Sequence, residues 1–236
     1  MRFDLSVILD NWDAFLHGTV ITLYVGGISI VAAFAMAIPL ALMALSEIRI
    51  LRVASTVFLE FFRNLPFIVV VYIFYYGFPT LHVRLPETWV GILALSFFTS
   101  AYFSETIRGA ILSVPKGQME AARAIGLSYF QGMKDIVAPQ TLRFMLPPCT
   151  STCISTLKET SVLSVITVGE LTFQGLVVQG ETFAPFEVFV ATALIYWLIT
   201  GVFAAGMRRS ERLSGASRDT FAARTNLADR YLRIEG

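Results

Sequence analysis

The chain has 236 residues, of which 56% are hydrophobic and only 15% charged, with a net charge of +1 and a mean hydropathy of +0.68. Soluble domains carry roughly 25% charged residues, so this composition excludes a disordered chain, a coiled coil and an ordinary soluble enzyme. The near-neutral balance gives no reason to expect nucleic-acid binding. An apolar excess of this size calls for lipid as the solvent, and the expected fold is an all-α polytopic membrane bundle of about five or six spans of ~20 residues.

The N-terminal residues hold Asp4, Asp10 and Asp13 against Arg2 alone, so the basic start of a signal peptide is not expected. Ala14 to Ser46 contains no Asp, Glu, Lys or Arg over 33 residues, enough to cross ~30 Å of hydrocarbon with tilt to spare. Ala33, Ala37 and Ala41 recur within it every four residues, a spacing that lets helices approach closely in lipid, although alanine is common in spans in any case. The second span is Asn64 to Val83, with Pro66 and Pro79 near its ends. The third is Thr88 to Ser104, extending to about Leu112. The fourth is interrupted: Phe144 to Leu157, then Lys158 and Glu159, then Thr160 to Gly169. The fifth is Val188 to Met207, with Gly201 and Ala205 as a second small pair. Residues 1–210 read as the membrane domain, and the Arg- and Ser-rich residues 211–236 as a flexible cytoplasmic tail. Cys149 and Cys153, four apart, share a helix face and read as small core residues, not a disulfide or redox pair. His17 and His82 stand alone, so no metal site is expected, nor a bound cofactor.

Five spans put the chain ends on opposite sides, and Lys and Arg decide which. With the C-terminus in the cytoplasm, 15 of the 18 lie inside: Arg49, Arg52, Arg63, Arg108, Lys116, Arg123, Lys134, Arg143 and the seven arginines beyond Met207. Only Arg2 and Arg84 lie outside, and Lys158 falls within a span. The N-terminus is therefore expected outside.

The inner loop between spans three and four, about Ser113 to Leu142, is long and patterned. Pro115 fixes a turn, and Gly117 to Ile125 is rich in helix formers with an alanine face. Glu120 is spaced to pair with Lys116 or Arg123. Gly126 suits a left-handed cap, Ser128 and Gln131 have capping-box spacing for a second short helix, and Pro139 disfavours helix in the residue before it, ahead of the fourth span. The alanine face suits close docking into a groove of another protein. It equally suits an amphipathic connector resting on the bilayer.

Glu120-Ala121-Ala122, three residues, Gly126, nine residues, Ile136, one residue and Ala138-Pro139 resembles the EAA loop of ABC importer permeases, E-A-A-x3-G-x9-I-x-L-P, with Ala138 in place of Leu. Further segments are similar to polar amino acid uptake permeases: Arg63-Asn64-Leu65-Pro66, Ala101-Tyr102-Phe103-Ser104-Glu105 with Arg108-Gly109, Ile111 to Ala124, and Leu157-Lys158-Glu159-Thr160-Ser161, where Glu stands for the family's Asp. The likeness is good from about residue 58 to 172 and weaker from Gly18 to Leu45.

The resemblance implies a type I importer permease in a bacterial inner membrane, paired with a second copy or a paralogue. It implies an ATP-binding subunit dimer beneath, an extracytoplasmic solute-binding protein above, surrounding membrane lipid, and a polar amino acid as cargo. The helix Gly117 to Ile125 would be the coupling element, with Glu120, Ala121, Ala122, Gly126 and Pro139 in ATPase coupling. None of Lys116, Lys134 or Lys158 is preceded by the GxxxxG pattern of a P-loop, so ATP hydrolysis is expected in a partner and not in this chain.

Charges inside a span mark a pathway or a buried pair. Lys158 lies 15 residues after Arg143, ~22 Å along a helix, which puts it toward the outer half. Lys158 and Glu159 project ~100° apart, so they cannot share one face. Lys158, Glu159, Thr160 and Arg63 are the candidate pathway residues; a structural ion pair, a kink or ordinary membrane-edge charges are the alternatives. Glu105 and Arg108 are spaced to pair with each other. Rival functions are a stand-alone channel, a secondary transporter, for which no internal repeat is visible, or an ABC permease for another small solute. No HExxH or GxSxG motif points to a membrane enzyme.

Overall fold

The computed structural model describes residues 3–213, and every regular element among them is helical. In chain order these are α1 (Ser6–Asp10), α2 (Trp12–Leu45), α3 (Arg49–Asn64), α4 (Phe67–Thr80), α5 (Glu87–Ser113), α6 (Lys116–Ala124), α7 (Tyr129–Gly132), a π-helical turn (Met133–Val137), α8 (Ala138–Glu159), a 3-10 segment (Thr160–Ile166), α9 (Leu171–Thr182) and α10 (Pro185–Leu213). Three helices, α2, α5 and α10, are long and apolar enough to cross a membrane, and two bent pairs bring the total to five if each is one span. The described residues form two compact units, residues 3–104 with 152–203, and residues 105–151 with 204–213. The expected tail, 211–236, lies outside the described residues except for 211–213.

In the first unit, α2 supplies a seam of small residues. Gly18, Thr22, Gly26, Ser29, Ala33, Ala37 and Ala41 are all buried at helical spacing. A β-carbon on Gly18 would stand 2.7 Å from the Leu171 Cα, and one on Gly26 would meet the Leu157 side chain at 2.7 Å. Helix association in lipid is driven by such packing and not by water exclusion. The Ser29 hydroxyl donates to the Ile92 carbonyl at 3.3 Å, and the Ser55 hydroxyl to Leu40 at 2.8 Å. Phe58, Phe62, Phe67, Phe74, Phe97 and Phe98 fill the space between α3, α4 and α5. The alanine spacing in α2 therefore is a packing face. Among the described residues the Gly201 and Ala205 pair in α10 is not one: both are exposed, and no described atom lies within 4 Å of a β-carbon on Gly201.

The second span differs from its sequence reading. Its charge-free run holds only the 14-residue α4, ~21 Å at 1.5 Å per residue. It is preceded by α3 at a bend of 108°. The cause is Pro66, which forces Leu65 into extended backbone (φ −95°, ψ 141°). Arg49, Arg52, Glu60 and Arg63 keep α3 out of any charge-free run, while Ser55, Leu59 and Phe62 form its buried face. The stretch expected as the fourth span is followed, after a 48° bend, by α9, and Lys158 lies ahead of that bend.

The second unit holds the patterned loop. α6 ends as expected: Gly126 adopts φ +85°, its N–H donates to Arg123, and the Leu127 N–H reaches back to Ala122 at 3.1 Å, the two bonds of a Schellman cap. Ser128 caps α7, and both arms of the capping box with Gln131 are present. Pro139 departs from expectation. Ala138 before it is helical (φ −60°, ψ −43°), and the helix runs through from Tyr129. The π turn at Met133–Val137 widens the helix where the proline ring would clash, and Pro139 lacks the N–H that Asp135 would have accepted. Glu105 and Arg108 form the expected pair, at 2.5 and 3.0 Å. Cys149 and Cys153 are both buried thiols.

Gly18→Ala is expected to cost about 1–3 kcal/mol by pushing a methyl into the α9 backbone, whereas Gly27→Ala, facing open space, stays within ~0.5 kcal/mol. Relative melting temperatures in detergent check this; equal stability of the two variants would contradict the seam.

Candidate functional site

Two groups of sequence-predicted residues lie in the two units. In the loop of the second unit, Glu120 and Ala121 are exposed on α6, and Glu120 makes no ion pair with Lys116 or Arg123. Ala122 is different. It is 1% exposed, and the site of a β-carbon on Gly132 lies 3.3 Å from its own. Its small size lets α6 lie against α7 within the loop, so the alanine pair splits into one residue facing inward and one facing out. Gly126 sits in open space at the turn, and Pro139 is exposed on α8. The loop therefore presents a short, rigidly capped helix whose free face is Gly117, Glu120, Ala121 and Ala124.

In the first unit, Lys158, Ser161, Thr172, Phe189, Thr192, Ala193 and Tyr196 line an open groove of about 400 Å³. That is the size range of small-molecule sites. Lys158 forms no ion pair among the described residues, so its ammonium group is available to the groove. Thr160 is buried beside it, and its hydroxyl is tied to the Leu157 carbonyl at 2.8 Å. Glu159 is half-buried and does not line the groove. Arg63 lies apart on α3, its guanidinium 6.0 Å over the Tyr102 ring.

The sequence reading did not single out Glu170. It is fully buried and is the N-cap of α9. Its Oε1 accepts from the Phe173 N–H and its Oε2 from the Thr172 N–H, both at 2.8 Å. Tyr196 donates to Oε2 at 2.8 Å, and Thr172 Oγ1 is 3.2 Å from the same phenol oxygen. The Leu171 N–H donates to Thr22 Oγ1 at 3.1 Å, and the Glu170 N–H to the Val168 carbonyl at 2.7 Å. All four orphan donors of a buried helix start are thus answered. The available signal was an acidic residue directly ahead of an apolar helical stretch.

Residues 30–214 match the family model described as "Binding-protein-dependent transport system inner membrane component". The chain belongs to this family. It is 32% identical over 209 residues to the Bacillus subtilis protein named "Probable glutamine ABC transporter permease protein GlnM", covering 89% of this chain and 97% of the relative. It is 35% identical to the nopaline transport system permease protein NocM of Agrobacterium fabrum, covering 84% and 87%. A solved amino acid ABC transporter, crystallised with histidines, aligns with a TM-score of 0.84 and 30% identity over 90% of this chain and 99% of that one. The inward-facing methionine ABC transporter MetNI shares the fold, with a TM-score of 0.72 at 17% identity, over 85% of this chain and 95% of that one.

Ala122→Leu is expected to force α6 off α7 and speed tryptic cleavage at Arg123 and Lys134. Ala121→Leu, on the free face, should leave cleavage unchanged. Equal rates for both variants would mean that the loop is not packed as described.

Proposed function

We propose that this chain is the membrane-spanning permease of an ATP-driven importer for polar amino acids, working in a bacterial inner membrane with its N-terminus outside. The observation that carries the reading is the loop. A nine-residue helix, fixed at its end by a glycine cap and braced from behind by Ala122 on Gly132, holds Glu120 and Ala121 outward as a docking face in a chain of this family. A flexible connector would need none of these devices.

On this reading α6 sits in a groove of an ATP-binding subunit, with Glu120 offered to a basic residue there. Ala121 lets the two surfaces come close, Gly126 supplies the bend that follows, and Pro139 lies at the start of the helix leading back into the membrane. Closure of an ATPase dimer moves the paired loops of two permease copies, or of this chain and a paralogue. The spans then rock between inward- and outward-facing states. A solute-binding protein delivers the cargo from outside. This chain carries no resident cofactor or metal in the scheme and hydrolyses nothing itself. Names of relatives support an amino acid cargo: glutamine, nopaline and L-cystine appear among them. The Lys158 groove supports it chemically, since a free ammonium in an apolar setting suits a solute carboxylate. Thr160 shapes the wall behind it. Arg63 and Glu159 are assigned to the pathway's margin.

Gly126→Asp places a charged side chain at φ +85° in the turn that closes the docking helix. It is expected to abolish uptake and the co-purification of a P-loop ATPase subunit while the chain stays in the membrane. Retention of the ATPase by this variant would remove the loop from the coupling role. Lys158→Ala is expected to lower uptake at least tenfold, about 1.4 kcal/mol or more, with the complex still assembled. Loss of assembly instead would make the lysine structural.

A further inference from the structure

Glu170 does more than a helix cap requires. Short side chains such as Ser, Thr, Asp and Asn satisfy the first amides of a helix, and a fully buried carboxylate is an expensive way to do so. What the longer side chain adds is reach: its Oε2 ties the start of α9 to Tyr196 on α10 at 2.8 Å. Tyr196 and Thr172 both line the groove that holds Lys158, and Glu170 does not.

With Glu170 ionised, the protons in this network have one consistent arrangement. A carboxylate only accepts, so the single phenol proton of Tyr196 points at Glu170. The 3.2 Å contact between Thr172 Oγ1 and Tyr196 Oη is then made by the threonine proton. On the same wall, Thr192 donates to the Val188 carbonyl at 2.9 Å. All three hydroxyl groups have committed their protons, leaving only lone pairs for a solute. Lys158 offers only donors. The groove therefore has a cationic donor pole and an acceptor wall.

We propose that Glu170 is a positioning residue that sets this polarity and so makes the groove selective for solutes bearing both a carboxylate and an ammonium group. The carboxylate meets Lys158, and the ammonium group meets the oxygens of Tyr196, Thr172 and Thr192. The inference rests on the groove being part of the solute path, as in the preceding reading. Tyr196→Phe keeps the ring and deletes the acceptor. Glu170→Gln replaces one acceptor oxygen by an NH2 group, so the phenol proton loses its fixed partner.

The test is equilibrium binding to the complete transporter, permease and ATPase subunits together in lipid nanodiscs without the binding protein. Radiolabelled L-glutamine and L-histidine are the probes, with their N-acetyl and α-amide derivatives as competitors. Wild type is expected to bind the free amino acids at least tenfold more tightly than either derivative. Tyr196→Phe and Glu170→Gln are expected to lose about tenfold toward the free amino acids and little toward the N-acetyl forms, the size of one charge-assisted hydrogen bond. Lys158→Ala should weaken every carboxylate-bearing probe and spare the amides. If Lys158→Ala behaves so but the other two variants keep full discrimination against N-acetyl derivatives, the inference about Glu170 is overturned and the groove stands. If all three leave every affinity unchanged, the groove itself is wrong. If Tyr196→Phe and Glu170→Gln lower the melting temperature and weaken all probes equally, the network is a structural brace and the inference fails.

Discussion

Hydrocarbon offers no hydrogen bonds, so every break in a membrane helix must be answered by other parts of the protein. In this chain the decisive break lies between α8 and α9. The helix tightens to 3-10 form at Thr160, turns at Thr167 in left-handed backbone (φ 62°), and restarts at Leu171. The restart is buried, and its first amides are taken by Thr22 from α2 and by both oxygens of Glu170. Without that arrangement the bent pair would straighten or unravel, and the polar side chains of the groove would have no fixed positions.

The same break depends on the small-residue seam of α2. Gly18 lets the backbone of α9 approach, and Gly26 admits Leu157 from the end of α8. The seam thus meets both sides of the discontinuity, and Thr22, which takes the Leu171 amide, lies between its two glycines. Packing and hydrogen bonding serve one purpose here. The close approach brings the threonine within reach of an amide that lipid could not satisfy.

Charge-free runs located α2, α4, α5 and α10, because a charge in hydrocarbon is costly and its absence is informative. The loop's turn chemistry was also legible. Gly126, Ser128 and Gln131 act through local backbone geometry, which depends little on distant contacts. What could not be read came from tertiary context. Nothing in the local pattern distinguishes Ala121 from Ala122; the packing of α7 does. Pro139 signals a helix boundary by itself, but the π turn before it absorbs the clash. Glu170 could not be picked out because its partners lie 2, 3 and 26 residues away, and the last of these is on another helix. Gly201 and Ala205 have the spacing of a packing pair, yet both are exposed among the described residues.

The central claim is that solute movement through this chain is driven through its capped loop by a separate ATPase. The most direct measurement is uptake of a radiolabelled polar amino acid into proteoliposomes holding the purified complex, with the solute-binding protein added outside. ATP trapped in the lumen is compared with imposed proton and sodium gradients. The account predicts uptake that requires both lumenal ATP and the binding protein and ignores ion gradients. Uptake driven by a gradient in the absence of ATP would contradict it and make the chain a carrier in its own right.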